Sequence, residues 1–319
     1  MIFVGLDIGG TSTRLVTIDG DGRIVEKLKV PTHAEQGVTG TIDGLIRAVE
    51  GMVKGSATGE LKSIGIGITG PVDVSTGVVS NPYTLAGWPP TDIRAPFADA
   101  FGLPVSIDND ANVAAVGEWW LGSGRGVARM VMVTIGTGVG VATLINGQVQ
   151  RSTSGQHGEA GHMILDPNGP ECYCGARGCW EVMASGTALQ RGAKLIAAEK
   201  NSPLLAKADD DIERVDNSLL FAAAAAGHKS ALDVIDAAAK SIGQGLVNLA
   251  SAVTPDLFVL SGGVMEHFEH FRPRVNSMMR QHAKMIPTDI PVLSASLGDD
   301  AGAVGAAKQA RDSTGLFNA

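Results

Sequence analysis

The sequence predicts an α/β fold of about two domains, and three observations support this prediction. Apolar strands run into glycine-rich turns at several places, for example at residues 5–10 and 63–70. Apolar residues recur at helical spacing elsewhere, most clearly at 231–253, ahead of Pro255. The chain has 319 residues, which suffices for about two domains of the usual size of about 150 residues each.

The composition favours a small-molecule partner. The formal net charge is -8, which disfavours nonspecific binding to nucleic acid or to an anionic membrane. The first residues carry no basic, cleavable leader, and no stretch approaches the roughly 18 uninterrupted apolar residues of a membrane span. We therefore expect a cytoplasmic protein. The 42 glycines follow no collagen period, so we expect them mostly in turns and at close backbone approaches.

The first element is a glycine hairpin at residues 5–28. The pattern predicts a strand, a glycine turn, a second strand, the turn Gly20-Asp21-Gly22 and a third strand. Asp7 ends the first strand, and Gly9 and Gly10 follow it, so a polyphosphate and its metal could approach the backbone there. A plain glycine hairpin without a ligand is the alternative.

A second hairpin at residues 129–151 repeats this plan, and its turn contains Gly136, Thr137, Gly138 and Gly140. This is more glycine than a bare hairpin needs. Two such hairpins could hold a polyphosphate between two lobes. A third glycine turn, Gly262-Gly263, follows a predicted strand at 255–261.

The remaining elements complete the α/β pattern. A strand is predicted through Ile107, with polar residues at its carboxyl end and a helix from about Ala111; ligands gather at such strand ends. The pattern predicts helix packing at residues 222–226, a helix at 268–285, a strand at 290–296 and a closing helix at 299–311. The weakly patterned insertion at 199–218 contains Asp209 to Asp211, which we interpret as a solvated turn.

The spacing of the cysteines is the most specific indication of a metal site in the sequence. All three, Cys172, Cys174 and Cys179, lie within eight positions, and His162 stands ten positions upstream. Three thiolates and one imidazole are the Cys₃His set of a closed tetrahedral zinc site. Three buried free thiols are the alternative. With four protein ligands no position stays open for catalysis, so this zinc would shape a pocket and not activate water.

Seven motifs together resemble the ROK family of sugar kinases and sugar-responsive repressors. They are DIGGT at 7–11, GITGPVD at 67–73, DNDAN at 108–112, TIGTGVG at 134–140, GEAGH at 158–162, CYCGARGCWE at 172–181 and LSGGV at 260–264. The resemblance implies a two-lobed actin-like, hexokinase-type ATPase fold with a central cleft, with sugar deep in the cleft and ATP across the glycine turns. Family members often have Lys after DIGGT, whereas this chain has Ser12 and then Arg14.

The resemblance also implies roles for individual residues. Spacing alone favours Asp108 or Asp110 as a helix cap; the resemblance favours Asp110 as the catalytic base. Independently of the resemblance, Asp7 is our candidate for the Mg²⁺ side, through water, because Mg²⁺ retains several waters around one or two carboxylates; a hydrogen-bonded turn Asp is the alternative. The other implied contacts are Asn81, Asn109, Asp110, Glu159, His162 and Glu181 for sugar, and Asp7, Gly9, Gly10, Thr11, Gly136, Thr137, Gly138, Gly262 and Gly263 for ATP and its phosphates.

The expected function is ATP-dependent phosphorylation of the 6-hydroxyl of a hexose, with glucose as the first candidate. The alternatives are an N-acetylhexosamine kinase, for which the segment at 80–88 would decide, a ROK repressor, and a sugar-binding protein without catalysis. Repressors of the family place a helix-turn-helix domain ahead of DIGGT, and here six residues precede Asp7. We expect domains at 1–120, joined by the closing helix at 300–319, and at 121–299, and a homodimer or higher homo-oligomer.

Overall fold

The structure is a computed structural model of the chain. It describes residues 1–55, 59–81, 84–85, 87–153, 155, 158–199, 202–281 and 289–316. Part of the segment at 80–88 and the end of the helix predicted at 268–285 lie outside the described residues.

The described strands, in chain order, are β1 (Ile2–Ile8), β2 (Ser12–Asp19), β3 (Ile24–Pro31), β4 (Leu61–Ile68), β5 (Val78–Val79), β6 (Thr91–Asp92), β7 (Val105–Asn109), β8 (Arg129–Ile135), β9 (Val139–Ile145), β10 (Gln148–Val149), β11 (Leu257–Ser261) and β12 (Val292–Ser294). The described α-helices are α1 (Gly37–Gly55), α2 (Arg94–Phe101), α3 (Asp110–Leu121), α4 (Trp180–Ala184), α5 (Gly186–Ala197), α6 (Pro203–Lys207), α7 (Asn217–Ala225), α8 (Lys229–Val253), α9 (Phe268–Gln281) and α10 (Ala301–Ser313).

The chain divides into two compact units. The first comprises Met1–Val131, Ala142–Gly158 and Ala295–Ala319, and the second comprises Met132–Val141 and Glu159–Ser294. The predicted α/β class and the organisation into two lobes are confirmed. The domain boundaries given above stay a prediction.

The first five-stranded sheet has the order β3-β2-β1-β4-β7. β1 pairs antiparallel with β2 and parallel with β4, and β4 pairs parallel with β7. In this register Asp7, Gly67 and Asp108 lie side by side across three strands. The carboxyl ends of these strands, where ligands bind in α/β folds, therefore meet at one edge of the sheet.

The second five-stranded sheet has the order β10-β9-β8-β11-β12. Each sheet thus begins with an antiparallel three-strand meander and continues with later strands beside the first strand of that meander. The two glycine hairpins occupy matching places in the two sheets, and the strand orders repeat the same plan.

Helix α10 packs on the first sheet with its backbone close to the strands. Gly5 and Gly65 face this helix, and a Cβ at either glycine would overlap the carbonyl oxygen of Ala303 or Ala306. The side chains of Ala303 and its neighbours on α10 are fully buried with Phe3, Val16 and Ile18. Only glycine permits so short a distance between a helix and a sheet.

The described elements differ from the predictions in small ways. β7 continues to Asn109 and α3 begins at Asp110, one residue earlier than predicted. The insertion at 199–218 contains α6, and Asp209 to Asp211 form an exposed turn in which Asp209 and Asp210 have positive φ. In the described parts of the chain, no helix combines the length and apolar character that a membrane span needs.

The packing of α10 predicts opposite effects for two Gly→Ala substitutions. Gly65→Ala should lower the free energy of unfolding by about 1–3 kcal/mol or more, because the new methyl group meets the α10 backbone. Gly51→Ala is the matched control, since it lies in α1 with no atom near the added methyl group, and should raise this free energy by about 0.5–1 kcal/mol. Urea unfolding measures both. Equal effects at the two positions would contradict the close approach.

Candidate functional site

The first glycine turn, in the first unit, is held by its carbonyl groups. The Thr32 hydroxyl donates to the Gly9 carbonyl at 2.7 Å, and the Thr32 amide donates to the Thr11 carbonyl at 3.0 Å. Gly10 packs against Thr84, where a Cβ would come within 2.8 Å of a methyl carbon. The turn is therefore fixed from one side, and glycine is required for its close packing.

Asp7 is the penultimate residue of β1 and lies beside the first turn of α10. A Cβ at Gly302 would overlap the Asp7 carboxylate, so this glycine makes the space in which the carboxylate lies. The pKa of Asp7 is raised to about 7, chiefly by burial and then by the negative charge of Asp110, while the Arg14 guanidinium acts to lower it. Two carboxylates close together favour the binding of a divalent cation, because the cation offsets their mutual repulsion.

Asp110 is the first residue of α3, and Asn109 is the N-cap. The Asn109 side-chain oxygen accepts from the Ala111 amide at 2.9 Å, and its amide nitrogen donates to the Gly70 carbonyl at 3.0 Å. The Ala111 amide also donates to Asp110 Oδ1 at 2.8 Å, so Asn109 and Asp110 share this amide at the start of α3. Burial raises the pKa of Asp110, although hydrogen bonds from the Ala111 amide and from Thr69 and Asn109 lower it in part.

The sequence suggests Asp108 only as a cap, but in the structure it organises the DNDAN segment. It is buried, and its carboxylate accepts hydrogen bonds from the Asn109 amide at 2.6 Å, from Asn112 at 2.9 Å and from Gln309 at 2.9 Å, and forms an ion pair with Arg151. Two of these partners, Arg151 and Gln309, come from distant positions in the sequence, so no local motif predicts these contacts. This network fixes the backbone that presents Asn109 and Asp110.

Two other residues singled out in the sequence have structural partners in the first unit. Asn81 is buried, donates to the Thr69 carbonyl at 3.0 Å and accepts from the Thr84 amide at 3.0 Å. Arg14 pairs with Asp299 and lies 3.6 Å from Asp300. Arg14 lies near the position where family members often have Lys. Its guanidinium is thus paired with carboxylates that precede α10.

The second glycine turn, in the second unit, lies between β8 and β9. The Gly136 carbonyl accepts from the Gly186 amide at 2.7 Å, and the Thr137 carbonyl accepts from the Thr187 hydroxyl at 2.7 Å. The third turn contacts the same strand, because a Cβ at Gly262 would overlap the Ile135 carbonyl, and Gly262 has φ 91°. The second and third predicted phosphate turns are therefore neighbours in this unit.

The four predicted metal ligands come together. The ligand atoms of His162, Cys172, Cys174 and Cys179 all lie within 4.8 Å of one another. The Cys174 and Cys179 sulfurs are 3.6 Å apart, and the Cys172 sulfur lies 3.5 Å from His162 Nδ1. Tetrahedral zinc with usual bond lengths requires about 3.8 Å between sulfurs and about 3.6 Å between sulfur and nitrogen, so the donor set fits zinc.

The loop that carries these ligands is built from turns. The Cys172 amide donates to the Ala176 carbonyl at 2.8 Å, and the Gly178 amide donates to the Pro170 carbonyl at 2.7 Å. Burial raises the pKa of Cys179 to about 12, whereas a hydrogen bond from the Ala176 amide lowers the pKa of Cys174. A cation at the centre would favour the thiolate form of every sulfur.

The predicted sugar-binding residues of the second unit flank the metal group. Glu159 is exposed and precedes the short helical turn Ala160–His162. His162 directs Nδ1 to Cys172 and has its Nε2 atom 3.2 Å from the Tyr173 hydroxyl, a neighbour that the sequence did not suggest. Glu181 accepts a hydrogen bond from the Val139 amide at 2.9 Å, so it also contacts the second glycine turn.

The fold and these groups define an α/β protein of the hexokinase type, with glycine turns at strand ends, a pair of carboxylates near the strand ends and a cluster of one histidine and three cysteines whose geometry fits zinc. The sequence pattern of the ROK family matches residues 3–313, and the chain belongs to this family.

Curated relatives and solved structures agree with this assignment. The chain is 33% identical to a glucokinase of Halalkalibacterium halodurans over 309 residues, which cover 95% of this chain and 93% of the relative. It is 30% identical to an N-acetylmannosamine kinase of Salmonella typhi over 314 residues, with 98% and 100% covered.

Among solved structures, the ROK hexokinase of Thermus thermophilus superposes with a TM-score of 0.87 at 34% identity, and 99% of each chain is covered. A ROK glucokinase of Streptomyces griseus, in complex with glucose and AMPPNP, superposes with a TM-score of 0.79 at 33% identity, with 98% of this chain and 100% of that chain covered.

The raised pKa of Asp7 predicts a pH-dependent stability. The stabilisation from a protonated Asp7 is complete below its unfolded pKa of 3.8 and is lost as the pH rises through about 7. Asp7→Asn should therefore raise the melting temperature at about pH 8 and change it much less at about pH 4. The exposed Asp21→Asn on the same hairpin is the control. An equal shift at both pH values for Asp7→Asn would contradict the assignment.

Proposed function

We propose that this protein is an ATP-dependent sugar kinase that phosphorylates the 6-hydroxyl of a hexose, with glucose as the first candidate. The observation that carries the proposal is the pair of carboxylates, Asp7 and Asp110, at the carboxyl edge of the first sheet, with the charge of one raising the pKa of the other. Membership of the ROK family and the similarity to glucokinases support it.

Asp110 is the proposed general base. Its carboxylate takes the proton from the 6-hydroxyl as the oxygen attacks the γ-phosphorus of ATP; the bond from this phosphorus to the β,γ-bridging oxygen breaks, and ADP leaves. Burial raises the pKa of Asp110, which makes its carboxylate a stronger proton acceptor. The Asp108 network holds the Asn109–Asp110 backbone in place for this step.

The glycine turns are proposed for the phosphate groups. Gly9, Gly10 and Thr11 form the first turn, Gly136, Thr137 and Gly138 the second, and Gly262 and Gly263 the third. Asp7 would hold Mg²⁺ through water, and that cation, when bound, neutralises the negative charge of the polyphosphate. The third turn has φ 91° at Gly262, a conformation that glycine adopts without strain.

Zinc is proposed for the group formed by His162, Cys172, Cys174 and Cys179. Four protein ligands close such a site, so the metal would order the loop and orient the imidazole ring. Glu159, His162 and Glu181 are proposed as contacts to sugar hydroxyls, together with Asn109 and Asn81. The cytoplasmic location and the homo-oligomeric state stay predictions.

An N-acetylhexosamine kinase is the second candidate, because an N-acetylmannosamine kinase matches this chain over its full length. The base and the phosphate turns are the same in both candidates. The difference would lie in the space beside the sugar's second carbon.

A substrate panel tests the proposal. Zinc-loaded protein is incubated with glucose, mannose, fructose, N-acetylglucosamine or N-acetylmannosamine, and with ATP or polyphosphate, and sugar phosphates are quantified by mass spectrometry. We expect ATP-dependent phosphorylation of glucose and none of 6-deoxyglucose. Absence of product from every sugar with either donor would contradict a sugar kinase, and preference for an N-acetylated sugar would select the second candidate.

Asp110→Asn should lower kcat by about 10² to 10⁴ while the sugar dissociation constant stays close to that of the unaltered protein. The amide keeps the shape of the carboxylate but cannot accept the proton. Asp43→Asn, an exposed substitution on α1, is the control with full activity. A folded Asp110→Asn protein with near-normal kcat would remove this residue from the mechanism.

The metal proposal predicts about one zinc per chain in the purified protein, measured by mass spectrometry of the metal. Cys174→Ala should lose this zinc, melt at a lower temperature and bind sugar more weakly, since the loop carries the sugar contacts. Arg177→Ala alters the same loop at an exposed ion pair with Glu171 and should keep its zinc. A zinc-free preparation with full sugar affinity would show that the cluster is three thiols only.

A further inference from the structure

The backbone of Val139, the residue after the second glycine turn, is contacted on both of its polar groups by the region around the metal loop. Its amide donates to Glu181 Oε2 at 2.9 Å. Its carbonyl packs on Gly161, where a Cβ would overlap the oxygen. Gly161 precedes the metal ligand His162, and Glu181 follows the ligand Cys179 by two residues.

The Glu181 carboxylate lies directly against the glycine turn. A Cβ at Gly138 would overlap Glu181 Oε2, so the carboxylate lies against the turn in space that only glycine leaves. The neighbouring residue, Trp180, is fully buried, and its amide donates to the Met163 carbonyl at 2.8 Å. The first turn of α4 is therefore fixed, and Glu181 with it.

The opposite side of the turn is anchored to the same stretch of chain. The Gly186 amide donates to the Gly136 carbonyl, and the Thr187 hydroxyl donates to the Thr137 carbonyl, both at 2.7 Å. α5 begins at Gly186, two residues after the end of α4. One short segment, residues 180–187, thus holds the turn at three points, and one of them is a proposed sugar ligand.

We propose that Glu181 is a positioning residue that couples sugar binding to the conformation of the Gly136–Gly138 phosphate turn. One carboxylate oxygen holds the Val139 amide; the Tyr173 hydroxyl also hydrogen-bonds this carboxylate, and a sugar hydroxyl would bind beside it. A charged acceptor makes the hydrogen bond to Val139 stronger than a neutral one would. A sugar that orders this carboxylate also favours the anchored turn, and a nucleotide that orders the turn favours sugar binding by the same factor. The inference rests on the proposed function.

Two Gly→Ala substitutions in the same turn test the coupling from the side of the sugar. Sugar affinity is measured by calorimetry without nucleotide, using the best sugar of the panel. Gly138→Ala displaces Glu181 and should weaken sugar binding by about tenfold, although Gly138 is assigned to phosphate. Gly136→Ala has no atom near the added methyl group and should change the sugar affinity by less than about twofold.

Two glutamate substitutions test it from the side of the nucleotide. Affinity for Mg-ADP is measured without sugar. Glu181→Ala should weaken ADP binding by about fivefold or more, because the turn loses its anchor at Val139. Glu159→Ala removes another proposed sugar contact that has no hydrogen bond to the turn among the described residues, and it should leave ADP affinity unchanged.

The outcomes separate this inference from the proposed function. Suppose that the unaltered protein phosphorylates the sugar. The coupling is then wrong, and the kinase assignment stands, if Gly138→Ala and Gly136→Ala bind sugar equally well. The same conclusion follows if the two glutamate variants bind ADP equally well. If the unaltered protein binds no sugar, the kinase assignment itself is wrong. Zinc content and circular dichroism confirm that each variant is folded; should Gly138→Ala fail to fold, the glutamate pair decides.

Discussion

The contact on which the first unit depends is the close approach of α10 to the β1–β4 sheet and to α3. Gly5 and Gly65 remove the side chains that would separate the helix from the sheet, and a Cβ at Gly305 would overlap the Val113 carbonyl of α3. Gly302 then leaves the space for the Asp7 carboxylate. The positions of the strand-end carboxylate and of the helix that begins with Asp110 thus follow from one set of backbone contacts. A single methyl group there displaces the candidate catalytic groups and the core together.

In the second unit, the loop that carries the four proposed metal ligands, residues 162–179, has little apolar surface to bury. Cys172 and Cys179 are buried, but Tyr173 and Cys174 are exposed, and the loop backbone consists largely of turns. Such a segment gains too little from hydrophobic burial to offset the entropy of ordering it. The four side chains within 4.8 Å of one another would provide the alternative if they bind the proposed zinc, because a metal cross-link stabilises loops that have little core of their own. The placement of Glu159 and Glu181 then follows from the ligands beside them.

Much of this could be predicted from the sequence, because the signals are local. Glycine turns after apolar strands, the CxC spacing with an upstream His, and the helical periodicity of 231–253 each act over a few residues. The structure contains these elements and brings the histidine and the three cysteines together. Contacts between distant segments were not predictable. Asp108 is held by Arg151 and Gln309, and Glu181 bonds the amide of Val139; each pair joins residues more than 40 positions apart. The cap of α3 was missed for another reason, because Asp108, Asn109 and Asp110 are all good caps and only the register of β7 selects Asn109.

The first two glycine turns, both proposed to hold phosphate, are held in the same way. In each, a threonine hydroxyl and a backbone amide donate to turn carbonyl groups: Thr32 to Gly9 and Thr11, and Thr187 with Gly186 to Thr137 and Gly136. Carbonyl oxygens repel phosphate, and each of these four turn carbonyl groups already accepts a hydrogen bond from the protein. The two turns differ in the acceptor that follows the second, Glu181 on the Val139 amide. A carboxylate so close to a turn that is proposed to hold phosphate is unfavourable on charge alone. Its presence is understandable if this carboxylate has to respond to the sugar as well as to the turn.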